Sequence, residues 1–274
     1  MNTDAIKHIN LEFPYRDETR RFTITLNLEE YSHRSMWNHF NSGQLYEPET
    51  SRLLIGLLEP GDSFIDIGGH IGYFSLLAAA IVGPPGKILT FEPETTNQDR
   101  LRANITDNHY NNISLVPCAV GESTEDVQFY INQDNDGGHA MWDISKHEFN
   151  IKSRENTEIR TVPQTTLDLY LQNTDLGKLR MIKMDVEGSE LKVLRGAKQT
   201  LLKYQLPFII AEVNRYALAQ LGSSEEDLRS YMSELGYEAY VPTETHIAKL
   251  KPGEYYDYNY VFNLLFAAPG RLPV

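Results

Sequence analysis

The sequence has little cysteine, little basic charge and no long hydrophobic run. Its single cysteine, Cys118, excludes an intrachain disulfide framework and a cysteine-rich metal site. Lysine and arginine total 25 against 38 acidic residues, and the net charge of −13 disfavours nucleic acid or anionic lipid as a partner. No apolar run approaches the ~20 residues of a membrane span. The start, "MNTDAIKHIN", lacks the basic and apolar segments of a secretion signal, so we expect a cytoplasmic protein.

Strands and helices alternate regularly from residue 63 onward. Short apolar runs typical of buried strands, such as "SFIDIGG", "KILTFEP" and "PFIIAEVN", are each followed by a segment of helical character. This alternation predicts a parallel sheet with helices on both faces. The last two predicted strands, "YEAYVP" and "YNYVFNLLFAAP", have no helix between them, so we expect an antiparallel hairpin that closes one edge.

The predicted fold is therefore α/β, a Rossmann-like seven-stranded mixed sheet with an antiparallel last strand. Residues 1–45 are predicted to form a short N-terminal β/α extension, because "RFTITLNLEE" alternates like a strand or hairpin. Residues 46–274 are predicted to form the main domain.

Acidic residues stand at the ends of four predicted strands: Asp66, Glu92, the pair Asp185 and Glu187, and Glu212. In open sheets of this class, ligands bind beyond the carboxyl ends of the strands. One such acid alone is as well explained by a solvated helix start. Four strands that all end in acids predict an acidic binding site at this edge of the sheet, suited to a ligand with positive charge and hydroxyl groups.

The sequence of the glycine loop distinguishes between two classes of cofactor, dinucleotides and S-adenosylmethionine. Its glycines, at 68, 69 and 72 in "DIGGHIG", do not have the spacing of the dinucleotide fingerprint, and no P-loop is present. Asp66 would also repel a pyrophosphate. S-adenosylmethionine carries an ammonium, a sulfonium and a ribose diol but no phosphate, and Glu92 is placed to accept both ribose hydroxyls.

Three motifs, "FIDIGGHIGYFSL", "LTFEPETTNQDRLRANI" and "MIKMDVEGSELKVLRGA", resemble the FkbM-type methyltransferases of the class I S-adenosylmethionine fold. The resemblance covers roughly residues 45–213, and the closing "NLLFAAP" is also similar. The most specific part is the run "K-x-D-x-E-G-x-E-x-x-V-L-x-G". His70 stands where this family usually has asparagine.

The resemblance implies a cofactor loop, a ribose-binding acid and two acids, Asp185 and Glu187, that border the methyl-transfer site. The predicted cofactor-binding residues are Glu47, Asp66, Gly68, Gly69, His70, Gly72, Glu92, Pro93, Ala119 and Asp185.

Lys183 shares a strand face with Asp185 and Glu187 because side chains alternate along a strand. A buried ammonium is costly unless it is paired, so we expect a structural Lys183 that pairs with Asp66 or Asp185. Glu190 begins the next helix, where an acid complements the helix dipole, and is also expected to be structural.

Methyl transfer depends largely on positioning, and an oxygen acceptor can require a base. The predicted catalytic residues are Asp185, Glu187 and His139; the last lies in an irregular stretch that can cover the pocket as a lid. A surface-loop role for His139 is the alternative. No spacing motif in the sequence supports magnesium binding by Asp185, Glu187 and His139, so no metal is predicted.

The preferred function is S-adenosylmethionine-dependent O-methylation of a hydroxyl on a small molecule or glycan. The alternatives are a dinucleotide-dependent oxidoreductase or epimerase and a non-catalytic cofactor-binding protein. The sequence does not identify the methyl acceptor, and it does not distinguish a monomer from a homo-oligomer.

Overall fold

A hairpin and two helices precede the alternating part of the chain. The computed structural model describes residues 3–257 and 261–272. Strands β1 (Ile6–Tyr15) and β2 (Glu18–Asn27) form the hairpin, and helices α1 (Tyr31–Asn41) and α2 (Pro48–Leu57) follow. Pro48 occupies the first turn of α2, where its missing N–H costs nothing.

The remaining elements run from β3 to β13. In chain order they are β3 (Ser63–Ile67), α3 (Tyr73–Val82), β4 (Ile88–Phe91), α4 (Thr95–Asp107), β5 (Ile113–Val116), β6 (Ala119–Val120), β7 (Glu125–Ile131), α5 (Ile151–Glu155), β8 (Glu158–Thr165), α6 (Leu167–Tyr170), β9 (Leu179–Met184), α7 (Glu190–Gly196), α8 (Lys198–Tyr204), β10 (Phe208–Asn214), α9 (Arg215–Gln220), α10 (Glu225–Glu234), β11 (Glu238–Pro242), β12 (Ile247–Leu250) and β13 (Val261–Ala267). Across the described ranges, none of these helices has the length and apolar character needed to cross a bilayer.

Within the described ranges, the main sheet has eight strands in the order β12-β11-β13-β10-β9-β3-β4-β5. Strands β5, β4, β3, β9 and β10 are parallel, and β13 runs antiparallel to both of its neighbours, β10 and β11. The predicted mixed sheet with an antiparallel last strand is therefore confirmed. That strand lies inside the sheet, and the predicted start of it at residues 258–260 is outside the described part.

Two strands were not predicted, and one prediction merged two strands. Strand β12 is a short run, Ile247–Leu250, with only Leu250 fully buried, and it makes the eighth strand at the sheet edge. Strand β8 carries Pro163 and pairs with β6 and β7 in a separate three-stranded sheet. The segment "ISLVPCAVG" is divided at Pro117, so β5 joins the main sheet and β6 the small one.

The N-terminal hairpin packs on α3 and shares its hydrophobic cluster with that face of the sheet. Phe22 meets Tyr73 edge-on with ring centroids 5.7 Å apart. Side chains at the C-terminal end of α4 supply hydrogen-bond acceptors to the free edge of β2. The backbone N–H groups of Thr23 and Thr25 donate to Asn108 (2.7 Å) and Asn104 (2.9 Å). These bonds hold the hairpin beside the helices that border the carboxyl ends of β3 and β4.

The loop from β3 to α3 passes directly over the end of β9. Gly68 has φ +79°, and a Cβ at this position would lie 1.9 Å from the carbonyl oxygen of Asp185. Only glycine accommodates both the left-handed backbone and this close approach. The glycine loop and the acids that follow β9 are therefore brought together by backbone contact.

We predict that Gly68→Ala unfolds at a lower urea concentration than Gly61→Ala. Gly61 has φ +80°, and a Cβ there would meet nothing within 4 Å, so it carries the same backbone strain without the contact. Both variants should lose ~1–2 kcal/mol for the left-handed conformation. Gly68→Ala should lose at least ~1 kcal/mol more through overpacking, and equal losses would show that the close approach is absent.

Candidate active site

A deep cavity opens at the carboxyl ends of β3, β4, β9 and β10, the edge at which the acids were predicted to converge. It contains about 1180 Å³ of space free of protein atoms, including its open mouth. Helix α1 and the segment 135–141 also contribute to its walls. Ten of the predicted site residues line it: Glu47, Gly68, Gly69, His70, Glu92, Pro93, Ala119, His139, Asp185 and Glu187.

Asp66 and Gly72, by contrast, are not among the residues that line the cavity. The Asp66 carboxylate is 1% exposed and accepts a hydrogen bond from Ser75 Oγ at 2.7 Å. Gly72, at φ +93°, precedes the first turn of α3, and a Cβ there would lie 2.2 Å from Leu101. Both residues shape the loop from beneath, and direct contact of either with a cofactor stays a prediction.

Glu92 connects the glycine loop to the segment that follows β4. Its carboxylate accepts hydrogen bonds from the backbone N–H of His70 and of Glu94, both at 2.8 Å. Burial raises the pKa of Glu92 to about 7. The predicted ribose acid is therefore held rigidly in the cavity wall, with both oxygens already oriented by the backbone.

Lys183 is a buried ammonium at the floor of the cavity. Its Nζ lies 3.1 Å from Asp185 Oδ2 and 4.5 Å from the centre of the Phe74 ring. Of the two predicted partners, Asp185 makes the contact, while Asp66 is the residue paired with Lys183 across β3 and β9. Burial acts to lower the pKa of Lys183, but the surrounding carboxylates outweigh it and raise that pKa.

Asp185, Glu187 and Glu212 form a carboxylate triad whose oxygens lie within 4.8 Å of one another. Asn214 Nδ2 donates to Glu187 at 3.1 Å, and the Trp142 indole N–H donates to the Glu187 carbonyl at 2.9 Å. Burial, together with repulsion from Asp185, raises the pKa of Glu187 to about 8 and also raises that of Glu212. Glu187 and Glu212 therefore hold protons that isolated carboxylates would release at neutral pH.

The turn that carries Glu187 is stabilised from below by Glu190. The buried Glu190 carboxylate accepts hydrogen bonds from the backbone N–H of Val186 (3.2 Å) and of Gly188 (3.3 Å). Glu187 itself has φ +49°, a left-handed conformation that is rare outside glycine. This geometry agrees with the structural role expected for Glu190.

Comparison with known proteins identifies the family. The model of the methyltransferase FkbM domain matches residues 66–239. The chain belongs to the FkbM methyltransferase family. This confirms the family prediction, and with it S-adenosylmethionine as the cofactor.

Relatives of this FkbM methyltransferase are distant. The chain is 25% identical to hexuronic acid methyltransferase AglP of Haloferax volcanii over 76% of its length and 74% of that protein. It is 27% identical to 2-O-methyltransferase NoeI of Sinorhizobium fredii, over 66% of the chain and 74% of that protein. Methyltransferase 1 of Beauveria bassiana is 26% identical over 50% of the chain, and the match spans only 59% of that protein.

The cavity of the FkbM methyltransferase fits this cofactor on its own chemistry. Glycine backbone lines the wall beside β3, a carboxylate ends β4, and no P-loop or dinucleotide glycine spacing is present in the sequence. In addition, Glu212 Oε2 is buried and no group in the described part of the chain donates a hydrogen bond to it. A bound ligand can supply the missing donor.

His139 is oriented by a backbone hydrogen bond. The N–H of Asn132 donates to His139 Nδ1 at 2.9 Å, so in the neutral ring the proton is on Nε2. Burial lowers the pKa of His139 to about 4, so the ring is neutral at pH 7. This tautomer presents a donor rather than a free lone pair, which favours hydrogen bonding over proton abstraction.

Asp136, which sequence reasoning missed, joins three parts of the methyltransferase cavity. Its carboxylate accepts from the N–H (2.9 Å) and hydroxyl (2.6 Å) of Ser32 in α1 and lies 3.0 Å from His70 Nε2. These hydrogen bonds lower the pKa of Asp136 although burial opposes them. The partners are 104 and 66 residues away, so no local sequence signal indicates the cluster.

His33, His70 and Asp136 also bring atoms of metal-binding type within 4.8 Å of one another. However, the N–H of Asn27 donates to His33 Nδ1 at 2.7 Å, so the proton of the neutral ring is on Nε2. Burial lowers the pKa of His33 to about 3, which keeps it neutral. A protonated Nε2 cannot ligate a metal, and it instead faces Asp136 Oδ2 at 3.3 Å.

We predict that Lys183→Met destabilises the methyltransferase by about 3 kcal/mol at pH 8, because buried carboxylates lose their cation. The pKa values of Glu47, Asp66 and Glu212 are already raised by burial. Acids of this kind destabilise the fold increasingly as pH rises above their unfolded pKa, so the deficit should shrink toward pH 5.

Urea unfolding at pH 5, 6.5 and 8 measures this dependence. Lys198→Met, at an exposed lysine on α8, is the control and should change stability by less than ~0.5 kcal/mol at every pH. A Lys183→Met deficit that does not vary with pH would show that the carboxylates are not the lysine's electrostatic partners.

Proposed function

We propose that this chain transfers the methyl group of S-adenosylmethionine to a hydroxyl oxygen of a small molecule or sugar. The observation that carries the proposal is the carboxylate triad, which lines the same cavity as the glycine loop and Glu92. The names of two relatives, a hexuronic acid methyltransferase and a 2-O-methyltransferase, support a sugar acceptor and an oxygen target.

In this proposal, the backbone of Gly68 and Gly69 and the Glu92 carboxylate hold the cofactor. Glu92 accepts the ribose hydroxyls in addition to its two backbone donors, because each carboxylate oxygen can accept more than one hydrogen bond. Once bound, S-adenosylmethionine supplies an electrophilic methyl group. The contribution of the chain is then to position the acceptor oxygen and to receive its proton.

Glu187 is the preferred base among the three predicted catalytic residues. Asp185 is committed to Lys183, and the ionised form of a paired carboxylate is a weaker base. The His139 tautomer offers a donor. Glu187 has a pKa of about 8, close to the value at which a general base is most effective near neutral pH, and Asn214 fixes its orientation.

Family membership favours methyl transfer over the dinucleotide-dependent alternative. A non-catalytic binding role would leave the carboxylate triad without a purpose, since burial and repulsion from Asp185 raise the pKa of Glu187 and Glu212, and such acids cost stability unless they are used.

Glu92→Ala should weaken S-adenosylmethionine binding by about 1–3 kcal/mol, through loss of hydrogen bonds from the ribose hydroxyls to a charged group. Isothermal titration calorimetry measures the affinity, and circular dichroism checks that the fold is kept. An unchanged affinity in a folded variant would remove Glu92 from the cofactor site.

Glu187→Gln should lower turnover by ~100-fold or more while leaving cofactor affinity nearly unchanged, because the amide cannot accept the proton. In the parent enzyme, kcat/KM should rise with pH and level off above about 8, as Glu187 becomes deprotonated. That rise should be absent in the variant.

Glu234→Gln, at an exposed position on α10, is the matched control and should retain the parent profile. If Asp185→Asn abolishes turnover and Glu187→Gln does not, Asp185 is the base. If neither variant affects turnover in a folded protein, the triad does not take part in proton transfer.

A further inference from the structure

We infer that the acceptor site selects an uncharged, hydroxyl-rich group and rejects a carboxylate next to the methylated hydroxyl. This inference rests on the proposed function and specifies the substrate class of the same cavity. It comes from three features of the wall: its balance of charge, the unavailability of its lysine, and a buried acceptor atom that has no donor.

Acidic groups far outnumber basic groups in the cavity wall. Among the described residues, six carboxylates line the cavity: Glu47, Glu92, Asp136, Asp185, Glu187 and Glu212. Lys183 is the single lysine or arginine that lines it within the same ranges. The neutral His139 ring adds no charge. Glu187 has to ionise to act as the base, and in this region of low dielectric a ligand carboxylate beside it would strongly repel that ionised form.

Lys183 is not available to neutralise an anionic acceptor. Its side chain is 3% exposed, its Nζ lies 3.1 Å from Asp185 Oδ2, and the ring of Phe74 covers it at 4.5 Å. A ligand carboxylate would have to displace Asp185 to reach this ammonium. Such a displacement would break the ion pair and leave Asp185, whose side chain is 26% exposed, without its cation.

In its ionised, catalytically active state the triad needs hydrogen-bond donors instead. Glu212 Oε2 is buried and has no partner among the described residues, while Asn214 supplies one donor to the neighbouring Glu187. Hydroxyl groups donate to such oxygens without adding negative charge, and they leave the carboxylates free to hold or release their protons. A ring with several adjacent hydroxyls meets this requirement, whereas a carboxylate in the same place offers only acceptors.

The test compares three acceptors that share a ring and differ at one carbon: a methyl glycoside, the corresponding methyl uronide and its uronamide. The gluco, galacto and manno rings are each tried with S-adenosylmethionine. We expect kcat/KM for the glycoside and the uronamide to exceed that for the uronide by about 30-fold or more, as like-charge contacts strongly suppress wrong partners.

Glu212→Gln removes one of the carboxylates and should lower the ratio of kcat/KM for the glycoside to kcat/KM for the uronide. Glu234→Gln should leave this ratio unchanged. A uronide that is methylated as well as or better than its glycoside overturns the inference and leaves the proposed function standing. If the folded protein binds S-adenosylmethionine but transfers a methyl group to no member of the panel, the proposed function fails and the inference fails with it.

Discussion

The buried ammonium of Lys183 is the constraint on which the rest of the cavity depends. It lies among carboxylates from β9, from the adjacent strand β3, from β10 and from the start of α2. Without a cation at this point, the acids that end those strands would have to be neutral or exposed to solvent. One lysine thus allows four separate parts of the chain to bring acidic groups into a single enclosed space.

A second constraint is backbone strain, and it is concentrated in the same place. Among the described residues, six that are not glycine have positive φ, and three of them line the cavity: Glu47, His70 and Glu187. Each is held by neighbours, since Asn263 donates to Glu47, Asp136 bonds His70, and Trp142 and Asn214 bind Glu187. Strained residues of this kind persist only where their surroundings over-determine them, and they cluster at functional sites.

The sequence was sufficient for the features that depend on local pattern. Apolar runs of the right length predicted the buried strands, and the position of Asp185 and Glu187 directly after one of them predicted their place at the sheet edge. The features that it missed depend on contacts distant in sequence. Asp136 lines the cavity because its segment folds against α1, and nothing in "DNDGG" indicates this.

Asp66 shows a related limit. It lies inside β3, paired with Thr90, whereas Glu92 lies one residue past the end of β4; its side chain therefore packs under the loop against Ser75, while Glu92 reaches the wall. The sequence pattern does not fix the ends of the strands closely enough to separate these two outcomes.

The central claim is that this cavity binds the methyl donor with its ribose at Glu92 and its sulfur toward the carboxylate triad. A crystal structure with S-adenosylhomocysteine tests it most directly. The account predicts ribose oxygens within hydrogen-bonding distance of the Glu92 carboxylate and a sulfur that faces Asp185, Glu187 and Glu212. The claim would be contradicted if the nucleoside bound elsewhere and the triad contacted only water. One such place is the neighbouring polar pocket beside Arg160 and Arg100.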